Sequence, residues 1–397
     1  MKASDNSVAR SRGQLIAIGV CAALAVLALA MWVFQLTSGL VNTNMRHLDS
    51  WGLYLTNFMF FVGLSAGGLI ISSVPKVFGV AGFGPISKIA IWLSIICTCL
   101  AGAFIVVDLG QPIRMWELFQ FKNMRSPLLW DVCVIFSYLV ISIVYLVLVN
   151  RYERGEFGHV GMRAFATVAL VLAVMVHSVT AWIFSLQVSH EFWNTALMAP
   201  WFVASALNSG LALVMIVCVA LRKVGYLDFS QENLVKMAKF LGVFIAIDIY
   251  FFGCDVLTSA YGNDGGREIV EMLFAGQLAP FFWTEIVGGI VAAVICFTPK
   301  LRSTGMLMLA AALAILGVFC KRCQIMLGGF GIRNIDLPGT TVSGFDLTPA
   351  GQALSDAFSW MTYFPSPLEF GIAFGVIALG VGAFLAGLRW LDLKSAE

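Results

Sequence analysis

The chain has 397 residues, of which 60% are hydrophobic and only 12% charged, where an ordinary soluble domain carries about 25% charged residues. That balance excludes a soluble globular enzyme and identifies an integral membrane protein. The formal net charge of +2 says little about partners, because in such a protein the placement of charge along the sequence matters more than its sum.

A helix needs about 20 apolar residues to cross a bilayer. Runs of that kind occur at 13–36, 51–74, 86–108, 128–150, 163–187, 195–221, 237–260, 281–298, 304–328 and 368–390. We therefore count ten spanning helices, spans 1 to 10, in one membrane domain over 13–390, with tails at 1–12 and 391–397. No run alternates apolar and polar residues, and glycine patches such as GLSAGG (63–68) suit close helix contact, so the expected class is all-α rather than a β-barrel. Span 1 follows Arg10 and Arg12 and contains Ala28-Leu29-Ala30, which imitates a signal peptide. Its apolar core is longer than the roughly 7–15 residues of a signal, and a retained span is expected.

Sixteen of the 24 Lys and Arg residues fall in the N-terminal tail, the even loops and the C-terminal tail, and eight in the odd loops. The positive-inside rule then puts both termini in the cytoplasm. One outward loop runs against the trend. DLGQPIRMWELFQFKNMRSPLLWD (108–131) carries Arg114, Lys122 and Arg125 between two aspartates at helix mouths. The longest connection, 329–367, contains GGFGIRNIDLPGTTVSGFDLTPAG and is expected to be ordered against a partner or a helix end.

Ionisable groups within spans are costly and point to function. Asp108, Asp131, Asp255 and Glu285 fall in the outer third of their spans, Asp248 lies near the middle, and His177 lies inside span 5. Asp248 and Asp255 are seven residues apart, hence on one helix face. Helix capping or pairing with a nearby Arg is the plainer account, above all for Asp108 beside Arg114. The two outward loops also match. Arg114, Pro127, Trp130 and Asp131 in one correspond to Arg267, Pro280, Trp283 and Glu285 in the other, and an offset of four spans implies a parallel repeat of spans 2–5 and 6–9.

The nine cysteines show no cluster-binding spacing, and the lone C-x-x-C of Cys320 and Cys323 is weak as a redox or metal site. The four histidines, His47, His159, His177 and His190, offer no evident axial pair for a b-type haem. Electrons would have to come from a partner or travel on a lipid-soluble substrate.

The segments WGLYLTNFMFFVGLSAGGLI (51–70), DLGQPIRMWELF (108–119), SPLLWDV (126–132) and HSVTAWIFSLQ (177–187) resemble the NrfD/polysulfide reductase membrane-subunit family. The ten-span length is similar to its larger members, found in alternative complex III, in quinone reductase and sulfite-reduction-linked complexes, and in anchors of the hydrogenase-2 type. The resemblance implies two four-helix bundles, spans 2–5 and 6–9, flanked by spans 1 and 10. It implies a subunit without haem or an iron–sulfur cluster of its own, in the bacterial inner membrane. It would bind a quinone, menaquinone or ubiquinone, near the outer face of the first bundle. An iron–sulfur subunit of the four-cluster ferredoxin type would dock there, with a molybdopterin or multihaem cytochrome subunit beyond it and membrane lipid, not nucleic acid, around the protein.

Carried over by position, the resemblance makes Asp131 and His177 the proton-exchanging catalytic pair. Asn57, Asp108, Arg114, Trp116, Arg125 and Trp130 would shape the quinone site and its mouth, and Asp248, Asp255 and Glu285 would form a proton path in the second bundle. The inner half of the first bundle lacks a continuous set of acids, which leaves pumping in doubt. A proton-coupled secondary transporter and an inert membrane anchor remain open alternatives. The first would need no redox partner, and the second would tolerate loss of Asp131.

Overall fold

The computed structural model describes residues 2–45, 50–78, 84–262, 264–331 and 363–388. His47, most of the long 329–367 connection and the 391–397 tail lie outside the described residues. Ten helices are long and apolar enough to span a membrane: α1 (Lys2–Ser38), α2 (Leu53–Phe78), α3 (Gly84–Asp108), α5 (Pro127–Glu153), α6 (His159–Ser185), α7 (Met198–Val224), α8 (Gln231–Ala260), α10 (Ala279–Phe297), α11 (Thr304–Gly331) and α12 (Pro367–Gly387). They correspond one to one with spans 1–10, and no strand occurs among the described residues. The helix of span 1 begins at Lys2, so its backbone runs through the stretch expected as a tail. Two short helices fill the matching loops, α4 (Glu117–Gln120) after a 3-10 turn at Pro112–Trp116, and the amphipathic α9 (Asp264–Phe274).

Local chemistry accounts for the helix ends. Pro127 and Pro280 stand in the first turns of α5 and α10, where a missing N–H costs nothing and the fixed φ suits a helix. Ser366 and Glu369 form a capping box at the head of α12. Gly225 ends α7 at φ 77°, a left-handed conformation that favours glycine.

The contacts make two rings of four helices. In the first, α2 meets α3, α3 meets α5, α5 meets α6 and α6 returns to α2; in the second the same cycle runs α7, α8, α10, α11. The rings join chiefly through α2 and α7, whose main chains touch where Gly67 faces Ala206 and Gly210, so that any Cβ at either glycine would overlap backbone. α1 pairs with α12, and this pair leans on α3. Hence α2 is central, with 89% of its apolar window buried, and α1 is peripheral, with 6%.

One expectation needs correction. Lys321 and Arg322, counted among the eight outer-loop charges, lie inside α11 and are both 0% exposed. The loop count becomes six against sixteen, which strengthens the charge asymmetry, and two buried cations enter the description of the interior.

Candidate functional site

The end of the molecule carrying the 109–126 loop is termed upper. Four residues into α5, about 6 Å below its head, Asp131 turns inward and is 3% exposed. The Thr180 hydroxyl of α6 donates to its Oδ1 at 2.6 Å and also lies 2.9 Å from the Val176 carbonyl. Such a hydroxyl serves either protonation state. It donates to the carboxylate, or it accepts from the carboxylic acid and donates to the carbonyl. One turn below Thr180 is His177, 0% exposed and with no hydrogen-bond partner on either ring nitrogen. The Phe202 ring of α7 meets it edge-on at 6.4 Å.

The surroundings of Asp131 differ from the expectation that nearby arginines would hold it. Among the described residues Asp131 makes no ion pair. Arg125 is exposed in the loop, and Arg114 grips Glu117 instead, through Nε at 2.8 Å and Nη2 at 2.9 Å. That two-pronged hydrogen bond holds the Glu117 carboxyl below the usual carboxylate range. The loop presents more apolar than basic surface: Ile113, Trp116, Phe119, Phe121 and Met124 all project outward. Trp130 donates its indole N–H to the Met124 carbonyl at 2.7 Å, tying the loop to the head of α5.

The other residues assigned to the quinone site are not joined to Asp131. Asn57 is buried and donates to the Leu53 carbonyl of its own helix at 2.8 Å. Asp108, the last residue of α3, lies within electrostatic reach of Tyr54 and Glu369. It therefore belongs to the contact with the α1 and α12 pair. There the Glu369 carboxylate, missed in the sequence, is 0% exposed. It accepts from the Tyr363 hydroxyl at 2.5 Å and from the Asn44 amide at 3.0 Å. The Tyr363 hydroxyl is held well above its ordinary range by burial and by this bond.

The second bundle repeats the arrangement with different chemistry. Glu285 of α10 accepts from Gln324 of α11 at 2.8 Å and forms an ion pair with Lys321 at 3.0 Å. Gln324 and Lys321 are three residues apart, as are Thr180 and His177. Lys321 also pairs with Asp248 of α8, whose second oxygen accepts from Asn208 at 3.2 Å. The ammonium lies 4.7 Å from the Trp201 ring and 5.6 Å from Phe252. Those stacked rings, 4.9 Å apart, separate it from a cavity of about 360 Å³ lined by Glu191, Thr195 and Asp255. Asp255, two turns above Asp248, faces this cavity rather than the ion cluster. The Trp283 indole donates to the Phe274 carbonyl at 3.0 Å, as Trp130 does in the first bundle.

Below Asp131 the buried stripe of α5 is polar. Tyr138, Ser142 and Tyr145 follow at one helix face, all at most 1% exposed. Ser65, Ser94, Thr98 and Tyr138 form a hydroxyl cluster with Oγ to Oγ1 and Oγ to Oη separations of 2.6 Å. Near the lower end Lys88 pairs with Glu153. Hydroxyls thus stand where the sequence offered no acids. The signal for Lys321 and Arg322 was present as two adjacent cations within an apolar run; their nearness to a helix end disguised them as loop charges.

A family model described as "Polysulphide reductase, NrfD" matches residues 41–332. The protein is 33% identical to a putative dimethyl sulfoxide reductase membrane subunit of Halobacterium salinarum, over 96% of its own length and 91% of that relative's. It is 26% identical to the Hdr-like menaquinol oxidoreductase integral membrane subunit of Archaeoglobus fulgidus (93% and 91% covered). With the menaquinone reductase integral membrane subunit of Nitratidesulfovibrio vulgaris the identity is 23% (91% and 87% covered). With the upper motifs, the ten spans and these matches in agreement, the protein belongs to the NrfD/polysulphide reductase family of multi-pass membrane proteins.

Proposed function

We propose that the protein is the quinone-reactive membrane subunit of a multisubunit oxidoreductase in the cytoplasmic membrane, with both termini in the cytoplasm and the upper end outside. The observation that carries this reading is the Asp131, Thr180 and His177 constellation: a buried carboxyl without a counter-ion, joined by a hydroxyl to the helical turn of an imidazole whose two nitrogens are unpartnered. Reducing a quinone consumes two electrons and two protons, and oxidising a quinol returns them. The electrons pass to or from an iron–sulfur subunit on the upper loop, whose aromatic surface suits protein contact. The protons pass through Asp131 and His177, the first bonded to Thr180 and the second one turn below it on the same helix. Relatives whose names include menaquinone reductase and menaquinol oxidoreductase support a quinone as substrate.

Asp248, Lys321 and Glu285, two carboxylates sharing one ammonium, form a cluster that we assign to holding protons in the second bundle, with Asp255 exchanging protons with water through the upper cavity. The test is Asp131→Asn in the assembled complex. Asparagine keeps shape and hydrogen bonding but carries no transferable proton, so quinone-linked turnover should fall about a hundredfold or more while the iron–sulfur partner stays bound. His177→Phe should be milder, because water can substitute. Wild-type turnover by assembled Asp131→Asn would falsify the assignment and reduce Asp131 to a structural carboxylate.

A further inference from the structure

Lys321 and Arg322 are consecutive on α11, so their side chains leave the helix about 100° apart. That angle sends them to different bundles. Lys321 binds the two carboxylates of the second bundle, Asp248 and Glu285. Arg322 turns toward the seam between the bundles, where Nη2 donates to the Ser205 hydroxyl at 2.6 Å and the guanidinium lies against Phe202, 3.9 Å from its ring centre. Across the seam it meets α2 at Gly63. A Cβ on Gly63 would stand 3.8 Å from Arg322 Nη2 and 3.9 Å from His177 Cε1. A guanidinium of the second bundle and the imidazole of the first therefore face the same point.

Both residues are 0% exposed, yet Nε and Nη1 of Arg322 have no partner, and the nitrogens of His177 have none beyond a loose approach to the Gly63 main chain. Buried charged donors without acceptors are costly and rare in native proteins. Arg322 lies within electrostatic reach of Asp248 and Glu285, which outnumber Lys321 two to one, but its hydrogen bond goes to a neutral serine and to neither carboxylate. The free N–H groups instead suit an oxygen atom that gains negative charge.

We infer that Arg322 completes the Asp131 and His177 site from the second bundle, supplying the positive charge and hydrogen-bond donors for the oxygen of a quinone ring held beside His177. This rests on the quinone reading above. The division of labour is chemical. Arginine stays protonated under all ordinary conditions, so it stabilises charge on the oxygen as electrons arrive without giving up a proton. Asp131 and His177 supply the two protons, and the iron–sulfur partner supplies the two electrons.

The experiment uses the complete complex with 2,3-dimethyl-1,4-naphthoquinone or its quinol as probe, and compares kcat, KM and partner retention. Arg322→Gln should lower kcat/KM at least about tenfold, the low end for a hydrogen bond to a charged group, with Arg322→Lys recovering most of the loss. Because both residues act on one ring, Arg322→Gln combined with His177→Gln should lose much less than the product of the single effects. Wild-type kinetics for assembled Arg322→Gln, with Asp131→Asn still slow, would overturn the role of Arg322 and leave the quinone reading intact. Wild-type kinetics for both variants would overturn both. If Arg322→Gln does not assemble, Ser205→Ala decides, since it removes the bond that aims the guanidinium and, besides that, only the hydroxyl's bond to the Phe202 carbonyl of its own helix. A loss of kcat/KM that partner retention does not explain supports the inference, and wild-type kinetics overturns it.

Discussion

The two bundles use the same cycle of helices and the same kind of acid near the head of the third member, yet they surround that acid in opposite ways. Asp131 accepts from a threonine hydroxyl one helical turn from a buried histidine, whereas Glu285 faces an amide and a lysine that also holds Asp248. A single buried acid without a counter-ion changes charge without breaking an ion pair. An acid locked to an ammonium cannot change charge without disturbing its neighbours. The difference teaches that one scaffold can hold a lone acid in one half and an ion-paired cluster in the other, with the choice made by the residues three apart on the fourth helix.

The largest effect that would break this contrast is expected from Lys321→Met. Removing one partner of a buried ion cluster costs about 3–5 kcal/mol, so the variant should accumulate poorly or melt early in a thermal assay in detergent. Asp131→Asn, in the half where the acid has no ion pair, should melt as wild type does. Equal melting of Lys321→Met and wild type would show that the second cluster is not held by charge. Next comes Gly210→Val. Its side chain would overlap the Gly67 main chain, and overpacking of this kind costs about 1–3 kcal/mol, to be read as lower thermal stability without change in helix content.

Much of this architecture was legible in the sequence. All ten spans, the two-bundle grouping and the inward position of Asp131 follow from apolar run length, charge placement and the upper-loop motifs. The partners were not legible, because hydrogen bonds such as Thr180 to Asp131 join residues 49 apart, and nothing in local pattern says which faces meet. Lys321 and Arg322 were hidden by a different cause. Near a helix end, a cation that snorkels to the surface and a cation that serves a buried acid look alike until the neighbouring helices are in place. The neighbours of Asp108 were hidden for the same reason, since only the assembled helices bring Tyr54 and Glu369 within its electrostatic reach.

A smaller effect sharpens the repeat. Trp130→Phe and Trp283→Phe each remove one indole bond to a loop carbonyl and should lower stability by similar amounts, about 1 kcal/mol each. Unequal losses would mean that the two loops are tied down by different means. The smallest effect concerns the loop surface. Glu117 has its carboxyl lowered by Arg114, so the pair is present above the ordinary glutamate range and is lost as pH falls through the lowered value. Infrared titration of the loop carboxyl should show that shift and lose it in Arg114→Gln, with no change in thermal stability.

The pairing of α1 with α12 sets an order of events during synthesis. α1 is made well before α12 but has almost no other helix to lie against. The nascent α1 must therefore wait in lipid as a solitary anchor, which its nearly uninterrupted apolar surface permits. Only when α12 arrives can Glu369 meet Tyr363 and the Asn44 amide, and Gly375 close onto Ala28. The same bonds tie the upper end of α1 and the head of α12 to the upper rim of the first bundle. α12 thus acts as a completion check, since a product stopped short of it would leave both α1 and the buried neighbourhood of Asp108 without their covering.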